Sequence, residues 1–106
     1  GPGDPIAAGD AQLPKIRQAI RTERKIGLYR DNNGADSKRI IWPFALSFFE
    51  KVRVVVGWCE LREDYRHFRT DRIVVLNMTE KRYPRRRQAM LKEWRERELT
   101  KDASEK

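Results

Sequence analysis

A small, mainly β domain with a helix at each end is the fold this sequence predicts, and three observations carry the prediction. Apolar residues recur at helical spacing near the two ends, as Leu13, Ile16, Ala19 and Ile20 and again as Met90, Leu91 and Trp94. Between them the pattern switches to the alternation and short apolar runs of strands. Turn-forming clusters at Asp31–Gly34, Glu50-Lys51 and Leu61–Tyr65 punctuate that middle segment.

The chain has 106 residues, enough for one domain. Residues 1–10 are Gly-, Pro- and Ala-rich without apolar periodicity. The opening Gly1-Pro2 looks like the remnant of a cleaved expression tag, so the domain is expected to be a piece of a longer protein. Residues 11–80 are predicted to hold the β-barrel with its N-terminal helix, and 81–106 a basic C-terminal helix and tail.

The first helix is predicted over Gln12–Glu23, with Pro14 in the first turn, where its missing N–H costs nothing. From Arg24 to Asp31 the period shortens, Ile26 and Leu28 alternating with Lys25, Gly27 and Tyr29. Asp31-Asn32-Asn33-Gly34 then reads as a tight hairpin turn, because Asn-Gly accepts positive φ. The return strand is expected over Ser37–Ile41 and is expected to break at Pro43, which cannot donate to a ladder. Phe44, Leu46, Phe48 and Phe49 continue extended, and Glu50-Lys51 reverses the chain.

Val52–Glu60 is apolar on both faces over most of its length and is predicted to be a central strand. Leu61–Tyr65 is a charged turn. Arg66–Thr70 and Ile73–Met78 are two more strands around a bend at Thr70-Asp71-Arg72. The last helix is expected over Pro84–Leu99. Five short, curved strands on one core predict an Sm- or SH3-like β-barrel, closed so as to hide its edges.

Charge dominates the composition: 24 Lys and Arg against 16 Asp and Glu give a formal net charge of +8. Such a surplus favours polyanionic partners. Cys59 and His67 are single, so neither a disulfide nor a Cys/His metal site is expected, and no cofactor motif is present. No apolar stretch approaches the roughly 20 residues that cross a bilayer, and the chain reads as cytoplasmic.

Enzyme constellations are missing: there is no nucleophile elbow and no Gly-rich phosphate loop. Pairs such as Asp64 with Asp71 or Glu60 with Glu63 are what 16 acids produce by chance, so no catalysis is predicted. Cys59, beside Trp58, reads as a small buried hydrophobe.

The arginines carry more information. Arg66, Arg69 and Arg72 interleave with Tyr65, His67 and Phe68. That combination suits nucleotide recognition, a guanidinium fork for phosphate and a ring face for a base. Arg53 stands alone in a valine-rich strand and must snorkel outward or line a polar pocket. Alternation puts it with Val55, Gly57 and Cys59, opposite Val54, Val56 and Trp58. With Trp58 taken as the core side, Arg53 is expected partly exposed, near a carboxylate such as Asp31 or a bound anion. A second basic tract, from Lys81 through Arg85-Arg86-Arg87 to Arg97, is expected to be the solvated face of a helix whose Met90, Leu91 and Trp94 pack on the barrel.

Trp58-Cys59-Glu60-Leu61-Arg62 followed by Asp64-Tyr65-Arg66-His67-Phe68-Arg69-Thr70-Asp71-Arg72-Ile73 resembles the WYL-domain family of bacterial helix-turn-helix regulators, in particular its YafY-like branch. Leu28-Tyr29-Arg30-Asp31, Trp42-Pro43 and Leu91-Lys92-Glu93-Trp94 are similar to other parts of that domain, so the resemblance runs from about Leu13 to Glu98. It implies an Sm-like barrel that senses a ligand, a nucleotide or single-stranded nucleic acid. It further implies operator DNA as a partner through a preceding DNA-binding domain that is absent here, and assembly as a homodimer. The family's pocket tyrosine falls on Tyr29, and two pocket arginines on Arg66 and Arg72; Arg53 and Arg69 complete the candidate ligand site. The Trp-Tyr-Leu triplet that names the family is replaced by Arg53-Val54-Val55, and Asp31 stands where a serine is often found. The competing reading is a non-sensing, Sm-like interaction module that holds a dimer partner or nucleic-acid backbone.

Overall fold

The computed structural model describes the backbone of residues 10–32 and 35–104 and the side chains of 10–30 and 37–102. A 3-10 turn at Asp10–Gln12 leads into helix α1 (Leu13–Thr22), followed by strands β1 (Arg24–Asn32), β2 (Ala35–Phe49), β3 (Val52–Cys59), β4 (Asp64–Arg69) and β5 (Ile73–Arg82). A second 3-10 turn, Thr70–Arg72, separates β4 from β5, and helix α2 (Arg87–Ser104) closes the chain. Two flanking helices and five strands are thus as the sequence predicts.

All pairings are antiparallel, in the order β4-β3-β2-β1-β5. No ladder joins β4 to β5 among the described residues, so the expected closed barrel is an open five-stranded sheet with two edges. The sheet is nevertheless coiled. One core cluster gathers Ile26 and Leu28 of β1, Ile41 of β2, Val55 and Cys59 of β3, Phe68 of β4 and Leu76 of β5, with Ile16 and Ala19 of α1. Arg30 of β1 reaches to 5.2 Å over the Phe68 ring of β4, three strands away in the order, which a flat sheet would not allow.

Helix α1 ends where Glu23 turns left-handed (φ 56°), its N–H donating to the carbonyls of Ala19 and Ile20. Strand β2 runs unbroken through Pro43, against expectation. The ladder with β1 ends at Ile26↔Ile41, so Pro43 faces only β3, and a register shift follows between Pro43 and Ala45. Its carbonyl accepts the Tyr83 hydroxyl at 2.8 Å. Opposite Pro43, Gly57 has no room for a side chain: a Cβ would lie 2.5 Å from the Trp42 carbonyl oxygen. Glu50 and Lys51 both have positive φ, as the tight reversal requires. Asn33-Gly34 of the predicted first hairpin turn lies outside the described residues.

The other face of the sheet forms a second core, of Phe44, Val54, Val56, Tyr65, Tyr83 and Met90, with Trp42, Trp58, Leu91 and Trp94 packed against it. Met90, Leu91 and Trp94 therefore seat α2 on the sheet as predicted. The helix starts at Arg87 rather than Pro84, because its first N–H is capped by the buried Glu23 carboxylate at 2.7 Å. Polar groups over this face are paired. Tyr65 donates to Glu93 (2.7 Å), Arg85 reaches both, and Arg97 joins Glu93 to Asp64 (3.1 Å). Glu60 accepts from Trp42 Nε1 and pairs with Lys25, each at 2.7 Å.

Both faces of β3 are consequently buried, which corrects the expectation that only the Trp58 side is core. Val55 and Cys59, on the Arg53 side, belong to the five-strand cluster. No helix is long and apolar enough to cross a membrane among the described residues.

Candidate functional site

The alternation of β1 that buries Ile26 and Leu28 carries Arg30 onto the same, concave face. Register extends that face to β2, where Arg39 lies opposite Leu28 and Ser37 opposite Arg30. On β4, Arg66 lies opposite Gly57 and shares the face of the buried Phe68. The coiling of the sheet then brings strands from its two halves together: the Arg30 guanidinium sits 5.2 Å over the Phe68 ring and donates to Ser37 Oγ at 3.3 Å.

Burial lowers the pKa of Arg30, and the neighbouring cations Arg39, Arg66 and Arg62 lower it further. Arg39, Arg66 and Arg62 thus lie within electrostatic range of Arg30 at the end of the concave face, with Arg62 supplied by the turn before β4. Among the side chains described, which leave out those of residues 31–36, no carboxylate forms an ion pair with any of the four. Arginine keeps its proton here, so an incoming anion would relieve a repulsion that solvent only screens. No group of metal-ligating side chains occurs among the described residues.

The residues singled out from the sequence are dispersed. Arg66 is part of the cluster. Tyr29 follows the alternation to the opposite face of β1, where Lys38 Nζ lies 5.8 Å from its ring. Arg69 is bound in a fork to Asp71, at 3.0 and 2.7 Å, which lowers the Asp71 pKa. Arg72 is exposed on the Thr70–Arg72 turn. Arg53 is half-buried at the start of β3; it pairs with Asp10, and its Cζ lies 4.9 Å from the Phe48 ring, while the Asp31 side chain expected near it lies outside those described. The Thr70 hydroxyl donates to its carbonyl at 3.3 Å.

Sequence reasoning missed Arg30, Arg39 and Arg62. The signal for Arg30 was present: a charge continuing the Ile26, Leu28 alternation, where an apolar residue belongs. Arg39 and Arg62 carry no comparable mark, because only pairing register and coiling of the sheet bring them to Arg30.

A solved structure of proteasome accessory factor B/C (PafBC) of Arthrobacter aurescens is similar in fold, with a TM-score of 0.68 and 24% identity. The match covers 78% of this chain and 13% of that one, so the present chain corresponds to a small part of the larger protein. No curated protein sequence matches the chain. A family model, the WYL domain, matches residues 11–78, from the turn before α1 into β5. More than half of the sequence is spanned by that match, and the chain belongs to the WYL domain family.

Proposed function

We propose that this WYL domain is the effector-sensing part of a transcription regulator and binds an anionic ligand, a nucleotide or single-stranded nucleic acid, through Arg30, Arg39, Arg62 and Arg66. The observation that carries the reading is the half-buried Arg30 guanidinium over Phe68 on the concave face, with Arg39, Arg62 and Arg66 within electrostatic range and no carboxylate paired with any of the four among the side chains described. Structural arginines are ordinarily paired, as Arg69, Arg85 and Arg97 are here. Repulsion among the four is tolerable because the cluster opens to solvent at the exposed Arg62 and Arg66. A phosphate seated there exchanges that repulsion for charge-assisted hydrogen bonds. Phe68 beneath Arg30 holds the guanidinium plane, leaving its edge to the ligand.

Family membership and the helix-turn-helix resemblance support the regulatory role. Operator DNA is then contacted by another part of the whole protein, as a homodimer, and the domain itself performs no bond-breaking chemistry.

Fluorescence anisotropy with a short labelled single-stranded oligonucleotide tests the site. Arg66→Ala and Arg30→Ala should each weaken saturable binding by about 1.5–3 kcal/mol, or roughly 10- to 150-fold. Equal losses from Arg66→Ala and from a distant Arg95→Ala, with steep salt dependence in both, would favour a general polyanion-binding module instead.

A further inference from the structure

A groove of about 760 Å³ lies between the outer face of β3–β4 and the second half of α2, on the other side of edge strand β4 from most of the arginine cluster. We infer that this groove is a nucleobase site, which takes the base of the nucleotide whose phosphate rests on Arg66.

The groove exists because α2 is only partly seated. Its first turns are held down by Met90, Leu91 and Trp94, whereas every residue from Arg95 to Asp102 is exposed. Arg97 keeps this outer half above β4, bound to Asp64 at 3.1 Å with its Cζ 5.0 Å from the Tyr65 ring. A space with a sheet floor and a helix roof remains between them, in the size range of small-molecule pockets.

Its lining fits a flat aromatic heterocycle. Val54 and Val56 form an apolar floor, and Trp94 stands on the helix side. On the opposite side Phe49 and His67 put their rings 5.9 Å apart, tilted by 40°. Phe49 is 59% exposed and contributes to neither core, so its ring face is available for stacking. Charge fixes the other half of the ligand. Arg66 is among the residues that line the groove and lies within electrostatic range of Arg30, so the two concavities adjoin at this residue of the edge strand. It has no carboxylate partner among the described residues. A base on the Val54–Val56 floor and a phosphate toward Arg30 are therefore joined across the short edge strand, as the two halves of one nucleotide.

The inference rests on the arginine-cluster reading for the phosphate half, and the test separates the two. Binding of a short oligothymidylate, the same backbone made abasic, and tripolyphosphate is measured by calorimetry on the whole chain and on Phe49→Ala, His67→Ala and Arg30→Ala. Phe49 and His67 are exposed, so their truncation should leave the melting temperature unchanged. Phe49→Ala should weaken oligothymidylate about tenfold and leave abasic backbone and tripolyphosphate unaffected, whereas Arg30→Ala weakens all three. Equal affinity of parent and Phe49→Ala for oligothymidylate, with Arg30→Ala still impaired, overturns the groove and keeps the arginine site. Indifference of all three probes to Arg30→Ala overturns the arginine reading, and the phosphate half of this proposal with it. Phe49-dependent binding of a long-chain fatty acid in place of oligothymidylate, or Phe49-dependent self-association in light scattering without an effect on oligothymidylate, also overturns the base site.

Discussion

The two faces of this sheet treat charge in opposite ways. On the outer face, under α2, the core is aromatic and its polar rim is closed on itself: Tyr65, Glu93, Arg85, Arg97 and Asp64 form one network, and Lys25, Glu60 and Trp42 another. On the concave face the core is mostly aliphatic, and at its end Arg39, Arg62 and Arg66 lie within electrostatic range of Arg30, none of the four paired with a carboxylate among the side chains described. Paired charge fixes a helix in place, whereas uncompensated charge remains available to a ligand. The same residue type thus does structural work on one face and, on the other, forms the ligand site we propose.

If the outer face is structural, its loss should be the most damaging change. Ending the chain after Tyr83 removes Met90, Leu91 and Trp94 and uncovers Phe44, Val54 and Val56. A loss of about 4 kcal/mol or more, of the order of a large core truncation, should appear as a collapse of the melting temperature or as aggregation. An unchanged melting curve would mean that the outer core is not a core at all.

Gly57→Ala strikes the seam between the faces. The new methyl meets the Trp42 backbone and the Ile41 side chain at 2.5–2.6 Å, and backbone cannot give way as a side-chain tip does. Overpacking of this kind should cost about 3 kcal/mol in chemical denaturation; a neutral result would show that β2 can slide on β3.

Arg30→Leu sharpens the contrast from the concave side. It removes a half-buried charge that its neighbours repel, so stability should hold within about 1 kcal/mol or rise, while anion binding falls. A strongly destabilised Arg30→Leu would assign the arginine to the core's own architecture.

The smallest effect concerns acid. Pairing with Lys25, with help from Trp42, lowers the Glu60 pKa. Its contribution is present above the ordinary glutamate value, about pH 4.3, and is lost as pH falls through the lowered folded value. Glu60→Gln should therefore flatten the acid limb of stability below that pH while leaving neutral stability little changed. An identical acid limb in both proteins would show that the pair contributes nothing measurable.

Much of the fold was legible in the sequence. Period changes located both helices and all five strands, because each element has at least one well-buried face. What could not be read is how the sheet coils. In β3 apolar residues stand on both faces, Val54 and Val56 on one and Val55 and Cys59 on the other, so alternation cannot say which is inside, and the answer is both. Pro43 was expected to end a strand because a sequence does not reveal that the neighbouring ladder has already finished at Ile41. The candidate site was half legible for the same reason. Arg66 stood out among aromatics, but its companions come from β1, β2 and a turn, and only curvature assembles them. The aromatic-rich run of β4 also contains Arg69, which the local Asp71 occupies.

Glu23 bears on how the chain reaches this state. Its carboxylate caps the first N–H of α2 across 64 residues, and its backbone carbonyl accepts the Tyr83 N–H at 2.9 Å. Neither contact can form until α1 has ended in its left-handed turn and β5 has been laid along β1. Contacts of such sequence separation are entropically late, so docking of α2 belongs to the final step of folding. In the reverse direction, the C-terminal helix should be the first element released. Native-state hydrogen exchange would then find the amides of α2 opening at a lower free energy than those of β1, while the concave face and its arginines are still assembled.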